Sequence, residues 1–450
     1  MSAADDAASA VPHYPIDRLR EPIRRFLHVE AASGVVLFLA AVVALIMANS
    51  PWGEAYIGFW KTKVGITIGE FEFRHSLHHW INDGLMAIFF FVVGLEIKWE
   101  LVHGQLRSVR QATLPVAAAV GGMVVPALLY LSLQHGEPTA HGWGIPMATD
   151  IAFVVGCMAI LGKRVPLELR VFLLTLAIVD DIGAILVIAL GYSEGVDLGW
   201  LMWGGVGLLF IFLLLRLGVR RIPVYAVVGV IVWYAIHESG VHATIAGVLL
   251  GLAAPAKSEI SESGFRAILR RAGEAFESGE WARAEHRSEH ITRFQQLARD
   301  TISPAEYLQG KLHPWSSFVI MPIFALSNAD IPMAPGELVE PLALSVIFGL
   351  VVGKPVGIIL ASWLAVKSGR AELPHGISWK VLSAASCLGG IGFTMAIFIA
   401  GLALTEAHQV ETAKVGILAA SVVAATLGVS FLLATLPPVS HQETESESSA

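Results

Sequence analysis

Long runs of apolar residues dominate this sequence. Residues 112–134, 381–405 and 415–440 contain no Asp, Glu, Lys or Arg. Each run exceeds the roughly 20 apolar residues with which a helix crosses the hydrocarbon core of a bilayer. Charged residues make up 15% of the 450 residues, against about 25% in an ordinary soluble domain, and mean hydropathy is +0.66. The chain is therefore predicted to be an all-α polytopic membrane protein.

Counting every such run predicts twelve membrane spans, at 31–49, 79–97, 112–134, 143–162, 168–192, 198–217, 222–237, 240–256, 314–330, 339–366, 379–404 and 411–436. The predicted organisation is a cytoplasmic arm (1–30), spans one to eight (31–256), a polar cytoplasmic insert (257–311), spans nine to twelve (314–436) and an acidic cytoplasmic tail (437–450). With the N-terminus inside, 25 of the 30 Lys and Arg residues lie in segments on the inner side and four on the outer side. Because cytoplasmic connections are rich in Lys and Arg, both termini are expected in the cytoplasm.

Composition also limits the partners of the chain. The net charge is −7, so there is no basic surface for nucleic acid. No G-x-x-x-x-G-K-[ST] loop occurs, and a nucleotide partner is not expected. Cys157 and Cys387 lack the spacing of a disulfide framework or a zinc site. We expect membrane lipid as a partner and no cofactor beyond the transported ions.

Four ionisable residues fall near the middle of predicted spans: Asp150, Asp180, Asp181 and Lys354. Such residues are costly in a bilayer and mark ion or proton pathways by default. The alternative is a set of salt bridges that hold helices together, but Lys354 can neutralise only one member of the Asp180–Asp181 pair. Adjacent carboxylates bind small hard cations and also protons, and the pair titrates as a unit. Competition between the two ligands would make the site an exchanger.

Two of the spans are predicted to be broken near their centres. The fourth reads G-W-G-I-P-M-A-T-D over 142–150, and the eleventh reads S-C-L-G-G-I-G-F-T-M over 386–395. Interrupted helices at membrane depth point to a transporter binding site. Their exposed ends carry partial charges, which Asp150 can offset at N-terminal ends and Lys354 at C-terminal ends. The alternative is that the glycines simply allow close packing of helices.

Several stretches together resemble the bacterial Na+/H+ antiporters of the NhaA type. They read I-N-D-G-L-M-A-I-F-F-F-V-V-G-L-E-I-K (81–98), A-T-D-I-A-F (148–153), L-A-I-V-D-D-I-G-A-I (176–185), S-G-V-H-A-T-I-A-G-V (239–248), H-P-W-S-S-F-V-I-M-P-I-F-A-L-S-N-A (313–329), G-K-P-V-G-I (353–358) and G-G-I-G-F-T-M-A-I-F-I (389–399). The resemblance implies exchange of cytoplasmic Na+ or Li+ for external H+, electrogenic and dependent on pH. It also implies twelve helices in a bacterial inner membrane, an inverted repeat relating spans three to five and ten to twelve, and a homodimer joined through a hairpin in 51–77.

The resemblance also implies roles for individual residues. Asp180 and Asp181 would bind Na+ and protons, with Asp181 as the principal cation ligand and Lys354 as the partner of the first aspartate. Asp150 and Thr149 of the broken fourth helix would also take part in binding the cation or protons, and Gly389, Gly390 and Gly392 would belong to the broken eleventh. Glu96 would serve the pH response at the cytoplasmic funnel, with Asp83 at the opposite end of the same span. His242 reads as a pH sensor or, the favoured reading, as a packing histidine.

Some positions depart from the family pattern. Trp99 replaces a second basic residue after Lys98, and Asp330 replaces a glycine. The 257–311 insert is longer than the usual connection. Two other functions stay open, a sodium-coupled solute symporter of similar fold and an intramembrane aspartyl enzyme. The enzyme is disfavoured because a Gly-x-Gly-Asp context is absent, so the chain is expected to be an ion antiporter.

Overall fold

The computed structural model describes residues 30–69, 71–193, 195–219, 221–257, 301–331 and 336–437, and four single positions between 264 and 270. Almost all of the predicted arm (1–30) and acidic tail (437–450) lies outside the described residues. So does most of the 257–311 insert. The regular secondary structure of the described residues is helical apart from one short antiparallel hairpin.

The elements follow one another in two stretches on either side of the insert. The first comprises α1 (Glu30–Ala48), α2 (Gly53–Lys61), β1 (Lys63–Ile68), β2 (Phe71–Ser76), α3 (Met86–Val102), α4 (Val109–Leu133), α5 (Ile151–Leu161), α6 (Leu167–Gly191), α7 (Leu198–Arg216), α8 (Ile222–Glu238) and α9 (Thr244–Ala253). The second comprises α10 (Pro304–Trp315), α11 (Met321–Asn328), α12 (Pro341–Phe348), α13 (Lys354–Lys367), α14 (Trp379–Gly389), α15 (Phe393–Ala403) and α16 (Ala407–Thr435). Leu77–His79 and Trp80–Leu85 lead directly into α3, and Pro138–Met147 is a 3₁₀ segment before α5.

Five helical segments of the described chain are long and apolar enough to cross a membrane, and three bent pairs raise the number to eight. This establishes a multi-pass membrane protein, while twelve spans stay a prediction. Two of the bent pairs coincide with the stretches predicted to be broken. Pro138–Met147 and Ile151–Arg164 meet at 41°, and Trp379–Gly389 and Phe393–Ala403 meet at 48°.

A two-stranded hairpin follows α2, within the segment where strands are compatible with the sequence. β1 and β2 pair antiparallel from Lys63 opposite Ser76 to Ile68 opposite Phe71. The K-V-G-I-T-I sequence of β1 alternates in the two-residue period of a strand. The hairpin is the one sheet in the described residues, and it leads directly into the helical run that becomes α3.

Close packing of α4 against α13 positions the centre of the molecule. A Cβ added at Gly121 would lie 2.2 Å from the Gly357 carbonyl oxygen, and one at Gly357 would lie 2.1 Å from the Gly121 carbonyl oxygen. The two backbones touch, as small residues allow in membrane helices. Lys354, the first residue of α13, is thereby held against α4 near Gly122 and is fully buried.

Candidate functional site

The two broken stretches meet at their breaks. The Asp150 backbone N–H donates to the Ile391 carbonyl oxygen at 2.7 Å, and the Thr149 hydroxyl lies 3.0 Å from the Gly389 carbonyl oxygen. A Cβ at Gly390 would lie 2.4 Å from the Leu350 carbonyl oxygen, so only glycine permits this approach. The non-helical backbone at the two breaks therefore forms hydrogen bonds within the protein, as it must inside a membrane.

Asp150 accepts hydrogen bonds at the N-terminal ends of two helices. Its carboxylate accepts a hydrogen bond from the Phe153 N–H at 3.2 Å, at the start of α5. It also accepts from the Thr394 N–H at 3.0 Å and from the Thr394 hydroxyl, at the start of α15. A carboxylate at a helix N-terminus offsets the partial positive charge there, and Asp150 lies at two such ends. Sequence reasoning missed Thr394, although its position two residues after Gly392 was a usable signal.

Asp180 of α6 forms an ion pair with Lys354. The Lys354 ammonium lies 2.5 Å from Asp180 Oδ2, and both side chains are 0% exposed. The ammonium also donates to the carbonyl oxygen of Met147, the last residue of the 3₁₀ segment. The Thr149 hydroxyl lies 2.5 Å from the same Asp180 oxygen. Lys354 therefore offsets both a carboxylate and a C-terminal carbonyl, as its sequence position suggested.

Asp181 differs from its neighbours. It is 2% exposed, yet no hydrogen bond or ion pair joins its carboxylate to any other residue of the described chain. Among the described residues, the second oxygen of Asp180, Oδ1, is fully buried and has no hydrogen-bond partner. Buried polar atoms are almost always satisfied by protein or by water. The adjacent carboxylates therefore offer oxygens to water, a proton or a cation rather than to another described residue.

The other predicted residues do not lie where the two broken stretches meet. Glu96 of α3 lies 3.8 Å from His313 Nε2 of α10. Asp83 is thirteen residues earlier on the same helical run, which is about 20 Å along its axis. His242 lies 3.1 Å from the Tyr192 carbonyl oxygen. The structure thus brings together Thr149, Asp150, Asp180, Lys354 and the eleventh-span glycines, with Asp181 next in the chain.

Asp330, one of the departures from the family pattern, has a partner. Its carboxylate lies 2.9 Å from the Lys414 ammonium of α16, and the two side chains are 17% and 10% exposed. Sequence reasoning identified the unusual aspartate but not the lysine that pairs with it. The pair joins the end of α11 to α16 and lies apart from the broken helices.

Comparisons with known proteins converge on one family. The family model described as Na+/H+ antiporter 1 matches residues 24–432. An Na(+)/H(+) antiporter NhaA of Rhodopirellula baltica is 55% identical over 432 residues, covering 96% of this chain and 98% of the relative. An Na(+)/H(+) antiporter NhaA 2 of Acidiphilium cryptum is 49% identical over 94% of both chains. An Na(+)/H(+) antiporter NhaA of Rhizobium meliloti is 48% identical over 96% of this chain and 98% of the relative.

Proposed function

The chain belongs to the Na+/H+ antiporter 1 family, and we propose that it exchanges cytoplasmic Na+, or Li+, for external protons at the Asp180–Asp181 pair. The observation that carries the proposal is Asp181. It is buried beside a second carboxylate and has no protein partner in the described residues. An ionised carboxylate in so buried a position is stabilised by a compensating charge. Na+ and a proton each supply that charge, and neither can bind while the other is present.

The charges of the site favour electrogenic exchange. With Lys354 charged, two ionised aspartates and one Na+ make a neutral set, whereas two protonated aspartates and Lys354 carry one net positive charge. Exchanging one Na+ for two protons therefore moves one charge per cycle. The ion pair at 2.5 Å supports a structural role for Lys354, which holds the Asp180 carboxylate against the start of α13.

Substituting Lys354 by arginine tests that assignment. Arginine keeps the positive charge and cannot readily lose a proton. If Lys354 is structural, Lys354→Arg vesicles still exchange Na+ for H+ and still move net charge at zero pH gradient. An electroneutral Lys354→Arg variant with unchanged Na+ affinity would instead make Lys354 the carrier of a transported proton.

Exchange is expected to rise with pH. At low pH protons occupy the aspartate pair and exclude Na+, so apparent Na+ affinity falls on acidification. This competition requires no separate sensor. Glu96 modulates it by holding negative charge at the cytoplasmic funnel, while Asp83 and His242 are further candidates for the pH response. The His242 contact with the Tyr192 carbonyl supports a packing role for that histidine.

The architecture supports an inverted repeat of spans three to five and ten to twelve. Each broken stretch lies between long unbroken helical segments, α4 and α6 in one case, and Pro341–Lys367 and α16 in the other. Twelve spans with both termini in the cytoplasm of a bacterial inner membrane complete the proposed topology. The hairpin, in which residues 63–67 of β1 are exposed, is proposed to join two copies as a homodimer.

A sodium pulse to proteoliposomes tests the proposed exchange. Vesicles that hold the purified protein and a pH-sensitive dye should report proton movement when Na+ or Li+ is added, without any solute, and none with K+. Proton movement that requires an added organic solute would instead identify a sodium-coupled symporter. An intramembrane aspartyl enzyme would leave the dye signal unchanged.

A further inference from the structure

Three histidines from separate elements converge beside the hairpin. His75 lies on β2, His79 on the short helical turn that follows, and His237 in the last turn of α8. One ring nitrogen from each lies within 4.8 Å of the other two. The His75 and His79 rings are stacked at 4.3 Å, and the His237 ring meets both edge-on at 5.9 and 5.6 Å.

A carboxylate faces the same cluster. Asp83 Oδ2 lies 3.5 Å from His79 Nε2 and 3.4 Å from His237 Nδ1. Histidines that bind metals are commonly oriented by a carboxylate on the ring nitrogen that does not bind the ion. Asp83 is placed to orient His237 in this way, or to complete the coordination as a fourth ligand.

The surroundings hold the cluster in place while leaving it open to solutes. The Trp233 ring stacks on His237 at 5.7 Å, and the Phe73 ring meets His75 edge-on at 4.9 Å. The side chains of His79 and His237 are 37% and 18% exposed. The imidazoles are therefore ordered by aromatic contacts and still accessible to a dissolved ion.

We propose that His75, His79 and His237 bind one divalent transition-metal ion of the zinc class. Imidazole nitrogens suit Zn2+, Ni2+ and Cu2+ and are poor ligands for Na+. Three nitrogens at about 2.0–2.1 Å from a tetrahedral zinc ion lie about 3.3 Å apart. The three ring nitrogens lie within 4.8 Å of one another, so metal binding would draw the imidazoles closer together.

The bound ion would join the hairpin and the helical turn that directly follows it to the end of α8. His75 belongs to the hairpin, His79 to the start of the run into α3, and His237 to the end of α8. Coordination ties the hairpin to the helices, so the metal acts as a structural clamp. This site is separate from the Asp180–Asp181 pair and does not depend on the exchange reaction.

Zinc binding to the purified full-length chain tests the proposal. The protein is prepared without a polyhistidine tag, stripped with a chelator, and titrated with Zn2+ in equilibrium dialysis. We expect one zinc ion per chain, an affinity loss of at least about 100-fold in His75→Ala and in His237→Gln, and about 10–100-fold in Asp83→Asn. Zinc should also raise the melting temperature of the wild type and leave that of His75→Ala unchanged.

Two matched variants define the outcome that overturns the proposal. His135→Ala removes an exposed histidine outside the cluster and should bind zinc as the wild type does. His408→Ala disrupts the group of Glu337, His408 and Glu411, the other arrangement among the described residues that brings three candidate ligands together. The proposal fails if the wild type binds no zinc, or if His408→Ala loses the zinc while His75→Ala keeps it.

Discussion

Asp150 and Asp181 are both buried aspartates of the same site, yet their surroundings are opposite. Asp150 accepts hydrogen bonds from two backbone N–H groups and one hydroxyl. Asp181 accepts none from the described part of the chain, although it is 2% exposed. The Asp150 carboxylate is satisfied by the protein, and the Asp181 carboxylate is the one at which we propose that a cation or a proton binds.

The comparison separates two uses of a buried charge. Asp150 offsets the N-terminal ends of α5 and α15, so it holds the broken helices together whether or not an ion is bound. Asp181 makes no such contacts with the described residues, which supports the proposal that its charge is balanced by a cation or a proton. Asp180 lies between these extremes, because Lys354 satisfies one of its oxygens and leaves the other free.

The largest effect is expected from Asp181→Asn, which should abolish exchange while the protein still folds. A neutral amide can neither release a proton nor balance the charge of Na+. Sodium-driven proton movement in proteoliposomes measures the loss. Asp197→Asn is the matched control, because Asp197 caps the exposed start of α7 and asparagine caps equally well. Wild-type rates in Asp181→Asn vesicles would remove Asp181 from the mechanism.

Removing Lys354 should strongly reduce stability. Lys354→Met leaves the Asp180 carboxylate buried without its cation, at a cost of about 3–5 kcal/mol in the free energy of unfolding. Thermal melting in detergent measures the change. The double variant Lys354→Met with Asp180→Asn removes both charges and should regain most of the loss. If the double variant is no more stable than Lys354→Met, the unpaired Asp180 charge is not the cause of the lost stability.

The residues predicted from the sequence agree best with the structure at the ionisable residues inside apolar segments. Asp150, Asp180, Asp181 and Lys354 stand out because an apolar span makes any ionisable residue conspicuous. Thr394 does not stand out, because threonine is common in membrane helices. Its role becomes visible only when the structure places it beside Asp150. The histidine cluster was missed for a similar reason, since His75 and His79 are 158 or more residues from His237 in the chain.

A smaller effect is expected from Thr394→Val, which tests Asp150. The substitution removes one of three donors to the Asp150 carboxylate and should lower the free energy of unfolding by about 1–3 kcal/mol. Sodium affinity should stay near that of the wild type. Thr426→Val is the control, because the Thr426 hydroxyl is exposed and bonds only to its own helix. Lost sodium binding with unchanged stability would place Asp150 among the ligands instead.

The smallest effect is expected from Glu96→Ala. Removing a negative charge from the funnel lowers the local proton concentration, so the pH profile should shift to lower pH by about a few tenths of a unit. The maximal rate at alkaline pH should be unchanged. Glu372→Ala, which removes a carboxylate of an exposed ion pair with Arg110, should leave the profile in place. Overlapping profiles of the wild type and Glu96→Ala would exclude Glu96 from the pH response.

Calorimetric titration of the purified protein with Na+, repeated in buffers of different ionisation enthalpy, tests the competition at Asp181 most directly. The account predicts that Na+ binding to the wild type releases protons and weakens as pH falls. Asp181→Asn should neither bind Na+ nor release protons, and Asp197→Asn should match the wild type. Sodium binding with the same affinity at every pH and no proton release would contradict exchange at this pair.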